Sequence, residues 1–212
     1  MVTKKKYSFS FTGASALLAE TLIVAEEYVR LQDWEKVKVS VQDNNLMNKI
    51  KQRTSKTKYF ELKKRLELLT NEQLNLIVSG SPDECKAMIL LSLLKAYSFF
   101  KDFVVEVIRA KYLLYNNNIA PSDYTSFFNA KALTNSEMNT LTEKTKNKVK
   151  QVLFKMLEQV GLINSAKDGI IIKPFLSDDS IKAILNDDAT LLAGFLCSDA
   201  EIKTLKKIPV HG

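Results

Sequence analysis

The chain has 212 residues, 46% of them hydrophobic, and its 31 lysines and arginines exceed its 24 acidic residues to give a formal charge of +7. Only 6 glycines and 4 prolines are present, which argues against disordered, collagen-like and loop-rich β proteins. One histidine and two widely separated cysteines exclude zinc sites of the Cys/His type. The composition therefore predicts a mainly all-α protein without a metal or cofactor.

The N-terminal third is predicted to form one short strand followed by helices. Aromatic residues alternate with serine and threonine over residues 7–12, which is the period of a half-buried strand. After Gly13 the apolar residues recur at helical spacing and predict a helix over residues 14–31. Thr70 and Gln73 have the spacing of a capping box and predict the start of a further helix.

The middle of the chain is predicted to hold the central helices. Ser81 and Glu84 flank a proline in the arrangement of a helix N-terminus. Residues 82–116 form the most apolar segment of the chain and predict one or two buried helices. Thr134 is predicted to cap a further long segment, whose apolar stripe is ended by Gly161.

The C-terminal part has a different pattern from the rest. Three isoleucines between two helix-breaking residues predict a second short strand near residues 169–173, a candidate partner for the strand at 7–12. No internal repeat or long linker is present. We therefore predict a compact helical bundle over residues 1–163, with a small helical appendage over 164–212 packed on it and at most two short strands.

Basic residues concentrate in two long segments and in a short third cluster, Lys4, Lys5 and Lys6. The window from Lys36 to Arg65 holds ten basic and two acidic residues, so its net charge exceeds that of the whole chain. A second cluster lies on one predicted helix and contains only one acid, Glu143. Its basic members are Lys144, Lys146, Lys148, Lys150 and Lys155. Like charges one helical turn apart cost about 0.2–0.5 kcal/mol per pair, so helix stability does not explain these rows.

Rows of cations on rigid helices favour a polyanionic partner, because each lysine that neutralises a phosphate releases a counterion. The charge alone is also consistent with a solvent-exposed basic face that only keeps the protein soluble, and it does not distinguish DNA from RNA. The prediction requires the basic helix faces to converge into one surface. The predicted nucleic-acid contacts are Lys36, Lys38, Lys49, Lys51, Arg53, Lys56, Lys58, Lys63, Lys64, Arg65, Lys144, Lys146, Lys148 and Lys150.

Catalytic motifs are weak in this sequence. No two glycines lie close enough for a phosphate-cradling loop. Cys85 falls in the first turn of a predicted helix. We favour the interpretation that it is a small residue of the core and not a reactive thiol. Asp187, Glu201 and Lys203 loosely imitate a nuclease metal site, but that site needs its glutamate and lysine on a strand and these residues have a helical pattern. We predict a non-enzymatic protein with no small-molecule substrate.

A membrane location is not expected. The longest nearly apolar run, residues 87–94, is bracketed by lysines and is far shorter than the roughly 20 residues of a membrane span. The N-terminal apolar stretch is interrupted by serine and threonine and runs directly into Glu20, unlike a signal peptide. We therefore expect a cytoplasmic, reducing location.

Four blocks of the sequence, in this order, resemble the BrxA family of bacteriophage-exclusion (BREX) defence systems. The first is YSFSFTGASALLAETLIVAEEYVRLQDW at residues 7–34, and the second runs from RTSKTKYF to EVIRAKYL at 53–113. The third is DYTSFFNAKA at 123–132, and the fourth is LTEKTKNKVKQVLFKMLEQVGLI at 141–163. The resemblance covers nearly the whole chain to about residue 172 and continues more loosely beyond it.

The resemblance implies a helical bundle similar to the antitermination factor NusB. It also implies a non-enzymatic protein that binds double-stranded DNA beside the other BREX subunits, which include a methyltransferase and an ATPase. It supplies no residue-level binding site, so the contacts above remain predictions from charge and helical face. Two alternatives stay open, namely a protein–protein scaffold of the same defence complex and a NusB-like RNA-binding protein.

Overall fold

The computed structural model describes residues 7–43, 46 and 52–207, and for residues 43 and 52–55 it describes the backbone alone. The chain is mainly helical, as predicted, and a 3₁₀ segment at Ser10–Gly13 precedes the first α-helix. A π-helical segment at Val104–Arg109 joins α6 to α7. The α-helices are α1 Leu18–Leu31, α2 Trp34–Asp43, α3 Gln52–Leu66, α4 Asn71–Ser79, α5 Pro82–Ala96, α6 Ser98–Phe103, α7 Ala110–Leu113, α8 Pro121–Thr134, α9 Glu143–Gln159, α10 Asp178–Asp188 and α11 Asp199–Leu205.

The predicted strand at residues 7–12 is wrong, although the predicted alternation of burial is present. Tyr7 and Phe11 are buried, while the serines beside them are exposed. The Tyr7 ring packs edge-on against Phe99 at 5.3 Å, and the Phe11 ring packs against Tyr97 at 5.4 Å. These residues pack on the junction of α5 and α6. Among the described residues no strand lies beside them to pair with their backbone, and a lone segment without such a partner does not form a stable strand.

The helix predicted over residues 14–31 begins later, at Leu18. Leu17 has a left-handed backbone with φ of 55°, which interrupts the helix on its N-terminal side. The preceding carbonyls of residues 14–16 accept hydrogen bonds from the guanidinium of Arg65 at 2.6–3.2 Å. Because these carbonyls are directed to a side chain of α3, they are not used in the helical ladder of α1.

The predicted helix starts at residues 70 and 81 are confirmed. The Thr70 hydroxyl accepts the amide of Gln73, whose side chain in turn accepts the amide of Thr70. Ser81 and Glu84 form the same reciprocal pair at the start of α5. Each capping box satisfies two backbone amides that the first turn leaves without partners, which explains why these two starts were readable from the sequence.

The predicted cap at Thr134 is wrong. Thr134 is the last residue of α8, and its hydroxyl donates to the carbonyl of Lys131 within that helix. A short 3₁₀ turn follows, and Thr142 caps α9 by accepting the amide of Thr145 at 3.2 Å. Thr134 and Thr142 both precede segments with a helical pattern. Because the 3₁₀ turn lies between them, α9 begins only after Thr142.

The predicted strand at 169–173 does not form a ladder. The described residues contain only isolated bridges here, between Asn118 and Ile170 and between Ile163 and Ile171. Gly169 has φ of 68°, and a Cβ on it would lie 2.2 Å from the carbonyl oxygen of Ile119. The segment is therefore held between two loops by close backbone contact, and it does not pair with residues 7–12.

The C-terminal helices pack on the central ones. The Gln73 side-chain amide donates to the carbonyl of Ala183 in α10, and Lys95 of α5 pairs with Asp187 at 2.6 Å. Leu191, Leu192 and Phe195, from a 3₁₀ segment at residues 189–195, belong to the same buried apolar cluster as α5. The division at residue 163 stays a prediction.

Candidate nucleic-acid interface

Helix α9 lies between two surface clefts. We call the first the α1–α9 cleft; it has a volume of about 540 Å³ and separates α9 from the segment that leads into α1. We call the second the α8–α9 cleft; it has a volume of about 230 Å³ and lies on the other flank of the helix. The stripe of apolar residues on α9 is buried in the core, so the opposite side of the helix forms a ridge between the clefts.

The α1–α9 cleft brings together lysines from both basic segments of the sequence. Lys58 of α3 lines it together with Lys148 and Lys155 of α9. Lys148 and Lys155 are exposed, whereas Lys58 forms an ion pair with Glu20 at 3.2 Å. Lys144 lies on the same flank of α9, one turn before Lys148, and is also exposed. Lys155 belongs to the basic cluster of the sequence but was not among the predicted contacts.

The segment before α1 holds this cleft in place. The Ala16 amide donates to the side-chain oxygen of Gln159 in α9 at 3.0 Å. From the other side, Arg65 of α3 donates to the carbonyls of residues 14–16. The segment is therefore hydrogen-bonded to both helices that supply the lysines, and it sets their separation.

The α8–α9 cleft has a more mixed lining. Lys146 pairs with Glu143 at 2.8 Å, and the Lys150 ammonium lies 5.9 Å from the centre of the Tyr124 ring. Tyr124 is only 4% exposed, and its hydroxyl has no hydrogen-bond partner in the described part of the chain. Burial raises the pKa of this hydroxyl, so it stays protonated and able to donate.

Two amide side chains occupy the ridge of α9, and the sequence analysis missed them. Asn147 and Gln151 are one turn apart, are both exposed, and face away from the buried Val149 and Leu153. Lys148 donates to the Gln151 side-chain oxygen at 3.3 Å, which leaves the amide nitrogen of Gln151 available. The helical spacing of the two amides is visible in the sequence, but the predicted contacts were chosen by charge and so included only lysines and arginines.

Apart from Lys58, the described predicted contacts on α2 and α3 line neither cleft, and several are already paired. Lys38 binds Glu35 at 3.3 Å, and Lys63 lies 3.7 Å from the same carboxylate. Lys36 is exposed and 3.9 Å from its neighbour Asp33. Lys56 is exposed and forms no ion pair with any described residue. These lysines do not line the α1–α9 cleft, so the predicted basic residues form more than one surface.

Arg65 is withdrawn from the predicted contacts, because it is fully buried. Its guanidinium donates to the carbonyls of residues 14–16 and to the Tyr97 hydroxyl at 2.7 Å. The Tyr97 hydroxyl in turn donates to Glu61. Although burial opposes it, this hydrogen bond, helped by nearby cations, lowers the pKa of Glu61. The neighbouring Lys64 remains partly exposed and bonds to Ser10 and Glu61.

Three predicted contacts have no described side chain. Lys49 and Lys51 lie outside the described residues. Arg53 lies in α3, but its side chain is also outside the described part. These three residues therefore stay predictions from the sequence.

The residues considered for catalysis have other roles in the structure. Burial raises the pKa of both Cys85 and Cys197, which lowers their thiolate fraction. Glu201 lies in a helix, as predicted, and binds Lys173 at 2.6 Å. In residues 7–43, 46 and 52–207, no three His, Cys, Asp or Glu side chains are grouped closely enough to hold a metal ion. Nor does any helix in these ranges have the length and apolarity to cross a membrane.

Comparison with known proteins identifies the family. BREX protein BrxA of Bacillus cereus is 26% identical over 121 residues, and the match spans 57% of this chain and 60% of the relative. The crystal structure of an uncharacterized protein from Magnetospirillum magneticum superposes with a TM-score of 0.78 over 91% of this chain and 98% of that chain; at 16% identity, this shows a shared fold. The model of the BrxA family matches residues 5–188. Because that match covers most of the sequence, the chain belongs to the BrxA family.

Proposed function

We propose that this protein is a non-enzymatic subunit of a BREX phage-defence system and that it binds double-stranded DNA. Membership of the BrxA family supports the first part, since a relative bears the name BREX protein BrxA. Other BREX subunits are then its expected protein partners, in the cytoplasm. The observation that carries the second part is the meeting of Lys58, Lys148 and Lys155 in one cleft beside α9.

Six lysines around α9 are placed to contact phosphates. Lys58, Lys144, Lys148 and Lys155 lie on one flank, and Lys146 and Lys150 lie on the other. With about six phosphate contacts, the logarithm of the affinity falls with the logarithm of the salt concentration at a slope of about −5. The ion pair of Lys146 does not oppose this, because exposed ion pairs contribute only about 0–1 kcal/mol. The Lys58–Glu20 pair is largely buried, so a contact from Lys58 requires a phosphate to replace the Glu20 carboxylate.

A matched pair of triple variants tests the proposal. Lys144, Lys148 and Lys155 are changed to glutamine in one variant, and the exposed Lys203, Lys206 and Lys207 near the end of α11 are changed in the control. Both variants lose three positive charges. We expect the α9 variant to reduce the salt slope by about 3 and the control to leave it near the wild-type value, measured by fluorescence anisotropy with a labelled duplex.

Two outcomes contradict the proposal. If the wild-type protein does not bind duplex DNA even at low salt, the function is wrong. If both triple variants weaken binding equally, the net charge and not the α9 surface is responsible. A third variant, with glutamine at Lys36, Lys38 and Lys63, measures whether these lysines of α2 and α3 also contribute.

Competition separates the remaining alternatives. Matched duplex DNA, single strands and hairpin RNA are offered as competitors across a salt series, and we expect the duplex DNA to compete best. A stronger hairpin would favour RNA binding, as in NusB. Marginal DNA affinity, combined with protein partners that survive nuclease treatment, would favour a scaffold within the defence complex.

A further inference from the structure

The ridge of α9 combines a polar centre with basic flanks. Asn147 and Gln151 lie on the exposed side of the helix, opposite its buried stripe, and Asn147 also borders the α8–α9 cleft. Lys144 and Lys148 lie to one side of the two amides, and Lys146 and Lys150 lie on the other.

The clefts beside α9 give this ridge room to enter a groove. The major groove of B-DNA is about 12 Å wide and admits one α-helix, whose diameter with side chains is about 10–12 Å. The two sugar–phosphate backbones that border the groove would then pass over the two clefts. From residue 144 to residue 155 the helix rises about 16 Å, which matches about five base pairs.

A second observation points to a ligand on the narrower flank. The Tyr124 hydroxyl is buried at the α8–α9 cleft and has no partner among the described residues. A buried polar group without a hydrogen bond is costly, and the side chain that carries this one lines the cleft together with Lys146 and Lys150, which both attract anions. A phosphate oxygen that reached the hydroxyl would accept a hydrogen bond from it and so satisfy it.

We propose that α9 lies in the major groove of duplex DNA, with Asn147 and Gln151 at the base edges and the flanking lysines on the phosphates of both strands. This inference rests on the proposed function and adds a groove and two base-contacting residues to it. Asparagine and glutamine amides pair bidentately with N6 and N7 of adenine, and one such contact discriminates about 5- to 150-fold against other bases. Duplex RNA should bind less well, since its major groove is too narrow for side chains.

The groove is tested with modified duplexes of a single sequence. Pyrimidines that carry bulky C5 substituents fill the major groove, whereas the ligand netropsin fills the minor groove. We expect the bulky substituents to weaken binding of the wild-type protein at least tenfold and netropsin to change it less than twofold. The opposite pattern, or equal binding to plain and substituted duplexes, overturns the placement of α9.

The two amides are tested by Asn147→Ala combined with Gln151→Ala. Asn71→Ala with Asn75→Ala is the control, because these residues are also exposed and one turn apart on a helix, α4. The wild-type protein and the control should select an adenine-containing motif of about five base pairs from a random duplex pool. They should also lose at least fivefold in affinity when 7-deazaadenine removes N7 from that motif. The α9 variant should show neither effect, while its salt slope stays unchanged.

The outcomes separate the two proposals. If the wild-type protein binds duplex DNA with a steep salt dependence but selects no motif, Asn147 and Gln151 do not read bases and this inference fails, while the proposed function stands. The inference also fails if the α9 variant selects the same motif as the wild type. Absence of any duplex binding removes the proposed function itself.

Discussion

Replacing Arg65 by methionine distinguishes a structural arginine from a DNA contact. The sequence places Arg65 in the basic segment, but the structure buries it completely between α3 and the segment before α1. Methionine keeps much of the apolar stem and removes the guanidinium. Lys64→Met is the matched control, since it removes a neighbouring charge that is partly exposed.

The expected loss of stability follows from what the guanidinium contacts. Removing it leaves the carbonyls of Ala14 and Ser15 and the Tyr97 hydroxyl without their donor, whereas the carbonyl of residue 16 still accepts from a threonine hydroxyl of α1. It also removes a cation close to Glu61, whose carboxylate is itself largely buried. Breaking a buried charged network costs about 3–5 kcal/mol, which for a chain of this size corresponds to roughly 6–20 °C in Tm. The exposed pair of Lys64 contributes at most about 1 kcal/mol.

Urea unfolding followed by circular dichroism measures both variants, and the DNA salt slope is measured below the unfolding transition. We expect Arg65→Met to lose about 3–5 kcal/mol and to keep the wild-type slope. If the variant instead stays within about 1 kcal/mol of the wild type and lowers the slope by about 1, Arg65 is a phosphate contact and the buried network has been misinterpreted.

Two further predictions concern packing and pH. Gly194→Ala should cost about 1–3 kcal/mol, because its Cβ would lie 2.3 Å from the buried Leu94, whereas Gly13→Ala meets nothing within 4 Å and should be neutral in urea unfolding. The ion pair with Lys173 lowers the pKa of Glu201 from 4.5 to about 2. The ion pair therefore makes its full contribution to the free energy of unfolding above about pH 4.5. The difference in this free energy between the wild type and Glu201→Gln should vanish as the pH falls to about 2.

Local signals in the sequence predicted the helices well. The capping boxes at Ser81 and Thr70 are read from residues three positions apart, and the structure confirms both. The apolar stripe that ends at Gly161 likewise corresponds to the buried side of α9. In each case the residues that decide the structure lie within one or two turns of each other, so the chain around them is sufficient evidence.

Long-range contacts explain the errors. The alternation in residues 7–12 is real, but the rings of Tyr7 and Phe11 meet aromatic residues about 90 positions away, and no strand is there to pair with. Arg65 looks like its neighbours Lys63 and Lys64 in the sequence. Only the fold brings the carbonyls of residues 14–16 to its guanidinium. A charge count cannot distinguish these cases, because it contains no information on burial.

The candidate site shows the same division between local and long-range information. Lys38 and Lys63 each have a glutamate three or four positions away and pair with it, so their reduced availability was visible in the sequence. Lys148 and Lys155 have no carboxylate partner in the described part of the chain, and they are the residues that line the α1–α9 cleft. That they meet Lys58 depends on a segment hydrogen-bonded to α3 and to α9. A basic segment thus becomes a candidate DNA surface only where its lysines form no ion pair with acidic neighbours and another element holds a second basic helix beside it.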